Sequence, residues 1–177
     1  MLKTILIVLA VLIAGFAVVV SRQPAQFRIE RSTTIAAPAG RVFPLVNDLH
    51  RWHGWSPWAK LDPQAKEAFE GPAQGVGASF SWAGNAKVGV GKMTITESRP
   101  SRLIRMKLEF LKPMKATSTA EFNFISEGAS TVVTWSMSGE NGFIGKAMHL
   151  VGVCEKMVGG QFEKGLASMK TLAESAR

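Results

Sequence analysis

His50 and His53 stand three residues apart with Asp48 just before them, the nearest thing in this chain to a metal-binding spacing. A metal centre needs a third and usually a fourth ligand, each oriented by its own hydrogen-bond partner. The only other histidine, His149, lies far along the sequence, so the pair reads as polar residues at a surface or pocket mouth and no metal is expected. Three acids, Glu97, Glu109 and Glu121, fall in stretches with strand periodicity. A general base must face a pocket and have its pKa raised there. Alternation puts Glu109 and Glu121 on a polar face, whereas Glu97 shares the parity of Met93 and Ile95, which makes Glu97 the best acid-base candidate. No Gly-x-Ser-x-Gly elbow marks a nucleophile. Gly84, Gly89 and Gly91 before Lys92 imitate a phosphate loop, but Ala86 stands where glycine is needed and Met93 replaces the Ser or Thr. They read better as turn and sheet-curvature glycines, and no cofactor is expected. The single Cys154 excludes an intrachain disulfide and falls in a helical pattern, where a buried structural thiol is the default.

The elements that must hold these residues are mostly strands. From Lys66 to Ser138 the pattern has period two: Val76, Ala78, Phe80 and Trp82 share one face, as do Met93 and Ile95. The same holds for Ile104, Met106, Leu108 and Phe110, for Ala120, Phe122 and Phe124, and for Val133, Trp135 and Met137. The opposite faces carry Arg105, Lys107, Glu109, Thr119, Glu121, Asn123, Thr134 and Ser136. Turn-forming clusters such as Gly84-Asn85, Lys112-Pro113 and Glu127-Gly128 separate about six short strands. An earlier strand holds Phe27, Ile29, Thr33 and Ile35, with Arg31 as an odd member of its apolar set. A short helix is expected from about Ala39 to Val46, with Pro44 in or near its first turn. Then Trp52, Trp55 and Trp58, three of the five tryptophans, fall in a stretch of short helical turns.

Apolar residues at Phe143, Ile144, Met148, Val151, Met157, Phe162, Leu166, Met169 and Leu172 keep the rhythm of an amphipathic helix over Asn141 to Ala176. Gly152, Gly159, Gly160 and Gly165 lie inside it, and a bend or hinge is expected near Gly159-Gly160. One long helix against a mostly antiparallel sheet is an α+β arrangement, and the two can enclose a space.

Residues 4–20 carry no charge, a run long enough to cross a membrane once Leu2 and Ser21 extend it. The run exceeds the usual core of a cleavable signal and no clear Ala-x-Ala site follows, which favours an uncleaved single-pass anchor in the cell membrane. Lys3 on one side and Arg22, Arg28 and Arg31 on the other support opposite orientations, so the membrane face stays open. The organisation expected is an anchor over residues 1–21, a linker over 22–26 and a globular domain over 27–177. Lys3 is the sole charged residue among the first twenty, so the formal charge of +8 becomes +7 for the remainder. That charge would draw the domain to anionic lipid. The basic residues are scattered without a run or a recognisable motif, so nucleic acid is not an expected partner.

Several local sequences carry a resemblance. Ile35-Ala-Ala-Pro38 precedes Val42-Phe43, Asn47-Asp48 leads to Trp52, Trp55 and Trp58, and Gly75-Val-Gly77 leads into a strand. Thr96-Glu97-Ser98 closes a strand, and Phe162-Glu-Lys-Gly-Leu166 lies in the final helix. With this order of elements, the chain from Phe27 to Leu172 resembles the helix-grip fold of the START-like (SRPBCC) superfamily, in particular its polyketide cyclase/dehydrase and lipid transport family. The resemblance implies a deep pocket between a curved antiparallel sheet and the C-terminal helix. Its mouth would hold Trp52, Trp55 and Trp58, and its walls Phe80, Trp82, Met93, Met106, Phe110, Phe122 and Trp135, with Met148 and Val151 from the helix. Aromatics and methionine suit an adaptable apolar pocket, although the same residues also build solid cores. The function expected is membrane-anchored binding of a hydrophobic or lipid-like small molecule without chemistry of its own. The alternatives are a cyclase/dehydrase-type enzyme using Glu97, or an interaction module at the membrane surface.

Overall fold

Residues 1–175 are described by a computed structural model; Ala176, the last residue of the expected helix, and Arg177 lie outside the described residues. Period-two alternation builds one antiparallel sheet from β1 (Gln26–Ile35), β2 (Lys66–Glu70), β3 (Ser79–Ala83), β4 (Val90–Arg99), β5 (Leu103–Lys112), β6 (Ala116–Glu127) and β7 (Ser130–Glu140). The order across the sheet is β1-β7-β6-β5-β4-β3-β2, so only β1 pairs out of sequence, running along β7 from Gln26↔Glu140 to Ile35↔Thr131. Successive hairpins need only short turns, which is why the meander is antiparallel throughout. One face carries the apolar set and the other is wet, the pattern of a sheet covered on one side.

The cover is helical. α1 (Leu2–Ser21) precedes the sheet, α2 (Ala39–Val42) and α3 (Pro44–Asn47) follow β1, and 3-10 turns span Leu49–Gly54 and Trp58–Lys60. The expected helix over Ala39 to Val46 is thus two single turns, because Pro44 starts the second at its first position, where a missing N–H costs nothing. After β7 come α4 (Phe143–Leu150), a π-helical turn (Glu155–Gly159) and α5 (Gly160–Ser175).

The expected C-terminal helix is therefore interrupted twice, at Gly152 and again by the π-helical turn that ends at Gly159, beside the Gly159-Gly160 pair where a bend is expected. Gly152 has φ +71 and its N–H donates to the carbonyl of His149 at 2.9 Å, a left-handed glycine closing α4. Gly159 has a different role. A Cβ there would collide with the guanidinium of Arg31, which pairs with Glu155 at 2.8 Å and Glu163 at 2.7 Å. Arg31, the odd member of the apolar set of β1, thus ties the edge strand to the helical layer, and the hydrogen bonds it donates, first to Glu163 and then to Glu155, raise its pKa. At the far end, Lys170 Nζ donates to the Thr34 carbonyl at 2.9 Å and the Ala36 N–H donates to Glu174 at 2.7 Å.

Gly165 sets how close α5 comes to the sheet. A Cβ at that position would stand 2.8 Å from Trp135 Cζ3 and 3.1 Å from Pro57 Cδ. The core that results holds Trp55, Phe122, Phe162, Ile104, Met106, Leu166 and Met169, each essentially without solvent exposure. Each such side chain contributes about 1.5–3 kcal/mol by leaving water.

Candidate functional site

The inner face of the sheet is not filled along its whole length. At the end where β3 stops and β6 begins, a cavity of about 200 Å³ remains, walled almost wholly by apolar atoms. Cross-strand pairing explains its walls. Phe69 pairs with Phe80, Phe80 with Met93, and Trp82 with Gly91. Gly91 is required there, since a Cβ would come within 2.5 Å of Trp82 Cζ2 and 2.8 Å of the Glu109 carbonyl. The indole of Trp82 lies over this glycine, donates to the Val88 carbonyl at 3.0 Å and meets Phe110 edge-on at 6.2 Å. Leu108, Ala120 and Met137 continue the wall, and Val158 and Phe162 close it from the helical layer. Trp135 stacks on Phe162 at 4.1 Å and forms the boundary with the solid core.

Of the residues assigned to the pocket from the sequence, Trp52, Trp58, Phe80, Trp82, Met93, Phe110 and Trp135 line the cavity. Trp55, Met106 and Phe122 do not: they are fully buried in the solid core, and Trp55 Nε1 donates to the Leu45 carbonyl at 2.7 Å. Met148 and Val151 are also away from the lining, because the turn at Gly152 carries α4 off the line of α5. Val151 is 61% exposed.

Glu97 sits on the wet face, and the cause is local. A β-bulge between Ile95 and Glu97 places Ile95 opposite Met106 but Glu97 opposite Arg105, reversing the parity that alternation predicts. There Glu97 pairs with Arg105 and with Arg99 at 2.5 Å, and Arg105 also binds Glu121 at 2.9 Å. Burial alone would raise the Glu121 carboxyl, but hydrogen bonds from Asn123 and Arg105 and the Arg105 charge hold it below its ordinary value. Glu109 pairs with Lys107 on the same face at 2.7 Å. Cys154 is half-buried against the core, and burial pushes its thiol pKa up.

The polar groups at the cavity are others. His53, Glu67, Asp62 and Ser56 all line it. His53 Nε2 lies 2.8 Å from Glu67, and its ring stands edge-on to Phe80 at 6.1 Å. Glu67 could have been found from the sequence, since it shares the parity of Phe69, and pairing with Trp82 turns it inward. His50 goes elsewhere: its ring stacks on Phe69 at 4.1 Å and its backbone N–H donates to Asp48 at 3.0 Å. Among the described residues no three metal-ligating side chains cluster. Ser56 Oγ and Trp135 Nε1 are buried without a hydrogen-bond partner, and both belong to cavity-lining residues. Buried polar atoms are normally paired, so these two mark where a bound molecule could supply a polar atom.

A curved antiparallel sheet closed on a C-terminal helix around an apolar cavity defines the helix-grip class of α+β domains. The family model described as polyketide cyclase/dehydrase and lipid transport matches residues 26–174, and the chain belongs to that family. Solved structures agree on the fold. The di-domain ARO/CYC BexL from the BE-7585A biosynthetic pathway superposes with TM-score 0.63 at 18% identity, covering 89% of this chain and 53% of that one. The Zhui aromatase/cyclase from Streptomyces sp. R1128 gives 0.59 at 18% identity over 84% and 94%. Protein CV1439 from Chromobacterium violaceum gives 0.59 at 14% identity over 85% and 98%. Identities this low speak for the fold alone. Among curated proteins no sequence matches.

Proposed function

We propose that this protein is a membrane-tethered binder of a small hydrophobic molecule held between the sheet and α5. The observation that carries the reading is the apolar cavity of about 200 Å³. An apolar cavity of about 150 Å³ takes benzene, so this one suits a body of one to two rings or a short acyl segment. Ser56 Oγ and Trp135 Nε1 favour a ligand with a hydrogen-bonding atom at one end. α1 supports the tether: its twenty residues, charged only at Lys3, would span about 30 Å.

The test is to purify the full chain in mild detergent, extract it and identify small molecules by mass spectrometry, alongside Ala120→Leu. Ala120 lines the cavity, so the isobutyl side chain that replaces its methyl occupies ligand space. A hydrophobic compound near one per protein, reduced at least about tenfold in the variant, is expected; a tenfold change is about 1.4 kcal/mol. No enriched compound, or equal retention by both proteins, overturns the reading.

A second reading is cyclase/dehydrase-type catalysis, favoured by the His53–Glu67 pair at the cavity wall. A carboxylate hydrogen-bonded to one imidazole nitrogen orients the ring and leaves the other nitrogen to move a proton. Turnover of a polyketone abolished by His53→Gln with binding retained would support it. Unchanged turnover in His53→Gln would remove its basis.

A further inference from the structure

The exposed apolar side chains are unevenly placed. Beyond α1, six of the eleven among the described residues lie at the end of the sheet where β1 begins: Phe143, Ile144, Leu150 and Val151 on and just after α4, and Leu111 and Met114 at the β5–β6 hairpin; Val76, Ile125, Val153, Met157 and Leu172 lie elsewhere. The strand register puts these two groups side by side. Gln26 faces Glu140, Ser118 faces Gly139, and Ala116 faces Phe110, so the hairpin tip and the start of α4 share one end. α4 lies across that end, with the His149 ring 5.1 Å from Phe27, and α1 packs beside it. The apolar residues stay exposed even with α1 in place: Ile144 is 59% and Met114 53% accessible. Basic residues flank them, with Arg22 after α1, Lys112 and Lys115 at the hairpin, and Lys146 on α4.

Only four residues separate Ser21, the end of α1, from Gln26, the start of β1. The five steps from Ser21 to Gln26 reach at most about 18 Å, so a bilayer crossed by α1 stands against this end of the domain. We propose that this face, α4 with the β5–β6 hairpin tip, docks on an anionic lipid surface, its apolar side chains in the headgroup–acyl boundary and its lysines on lipid phosphates. The proposal rests on the reading of α1 as a membrane span. Amphipathic helices with lysines beside the apolar face bind interfaces in this way. The cavity lies at the same end of the sheet, through Trp82, Leu108 and Phe110, so docking brings the ligand site next to the acyl layer.

The experiment uses the full chain in nanodiscs of phosphatidylcholine and phosphatidylserine. In a Cys154→Ser background, an environment-sensitive fluorophore is attached singly at Met114→Cys, Ile144→Cys, Val76→Cys or Val11→Cys. Val76 is 59% exposed in the β2–β3 loop, at the opposite end of the sheet from the β5–β6 turn. The labels at 114 and 144 are expected to shift to the blue and to be quenched severalfold by nitroxide-bearing lipid, while the label at 76 reports water. If the label at 11 is quenched and those at 114 and 144 behave like that at 76, the docking face is overturned and the span stands. If the label at 11 also reports water, the span falls and the proposal with it. Joint Lys112→Gln, Lys115→Gln and Lys146→Gln substitution is expected to reduce quenching at 114 and 144 to near the level at 76. Undiminished quenching overturns the assignment to anionic lipid.

Discussion

Two halves of the same interior behave differently. Around Trp55, Ile104, Met106 and Phe122 the space between sheet and helices is solid, whereas around Phe80, Trp82, Leu108 and Phe110 it is hollow. The sheet contributes the same kinds of inward residues to both. The helical layer differs. Over the solid half, Gly165 lets α5 sit against Trp135, and Trp55 and Leu166 fill what remains. Over the hollow half the chain has turned at Gly152 and taken α4 to the end of the sheet, which leaves Val158 and Phe162 as the helical cover. The cavity is therefore a product of where the C-terminal helix breaks.

The largest effect expected separates the halves by truncation. Trp55→Ala removes a fully buried indole and leaves the Leu45 carbonyl without its donor, and should cost about 3–5 kcal/mol. Leu108→Ala, half-buried on a wall that already borders empty space, should cost about 1 kcal/mol. Urea unfolding followed by circular dichroism in mild detergent measures both. Equal losses would mean that the hollow half is packed as tightly as the solid one.

A smaller contrast tests the helix itself. Alanine is worth up to about 1 kcal/mol over glycine inside a helix, and a Cβ at Gly160 would meet nothing within 4 Å. Gly160→Ala should therefore stabilise. At Gly165 the same methyl presses on Trp135 and Pro57, and overpacking of about 1–3 kcal/mol outweighs the propensity gain. Opposite signs in thermal unfolding are the expected outcome. A stabilising Gly165→Ala would show that α5 can lift from the sheet without loss, and that its approach does not set the boundary between the halves.

Much of this was legible before any coordinates. Period-two runs yield the sheet, and the residue set Phe80, Trp82, Met93 and Phe110 reaches the cavity because parity alone decides which face a strand residue takes. Pattern reading failed where geometry departs from ideal repeats. One extra residue at the bulge after Ile95 turns Glu97 outward, and no periodicity reveals a bulge. Gly152 and Gly159 look alike in sequence, yet one breaks the helix with a positive φ and the other makes room for the Arg31 guanidinium. Trp55, Met106 and Phe122 could not be sorted from true lining residues, since core and cavity wall use the same side chains. Arg31 stands out as a polar member of an apolar strand face, Glu67 was missed although it shares the parity of Phe69, and both have partners: the helical layer for one and His53 for the other.

The smallest expected effect concerns the outer face, where charge rather than packing distinguishes two positions. Glu121 is partly buried on the interior strand β6, and Glu70 is on the edge strand β2, paired with Lys92 at 2.7 Å and well exposed. Both carboxyls are held below their ordinary value, Glu70 through the hydrogen bond and charge of Lys92. A carboxyl whose pKa is lower in the folded state favours folding once it is ionised in both states. Its contribution is present above the ordinary value of 4.5 and is lost as pH falls through the lower folded value. For Glu121 that loss should be measurable as a falling urea midpoint at acid pH, and Glu121→Gln should flatten it. An exposed pair such as Glu70 with Lys92 is screened by water and salt, so Glu70→Gln should leave the acid limb unchanged. If the two substitutions flatten it equally, partial burial on an interior strand adds nothing to the Arg105–Glu121 pair, and the outer face is uniform behind both halves of the interior.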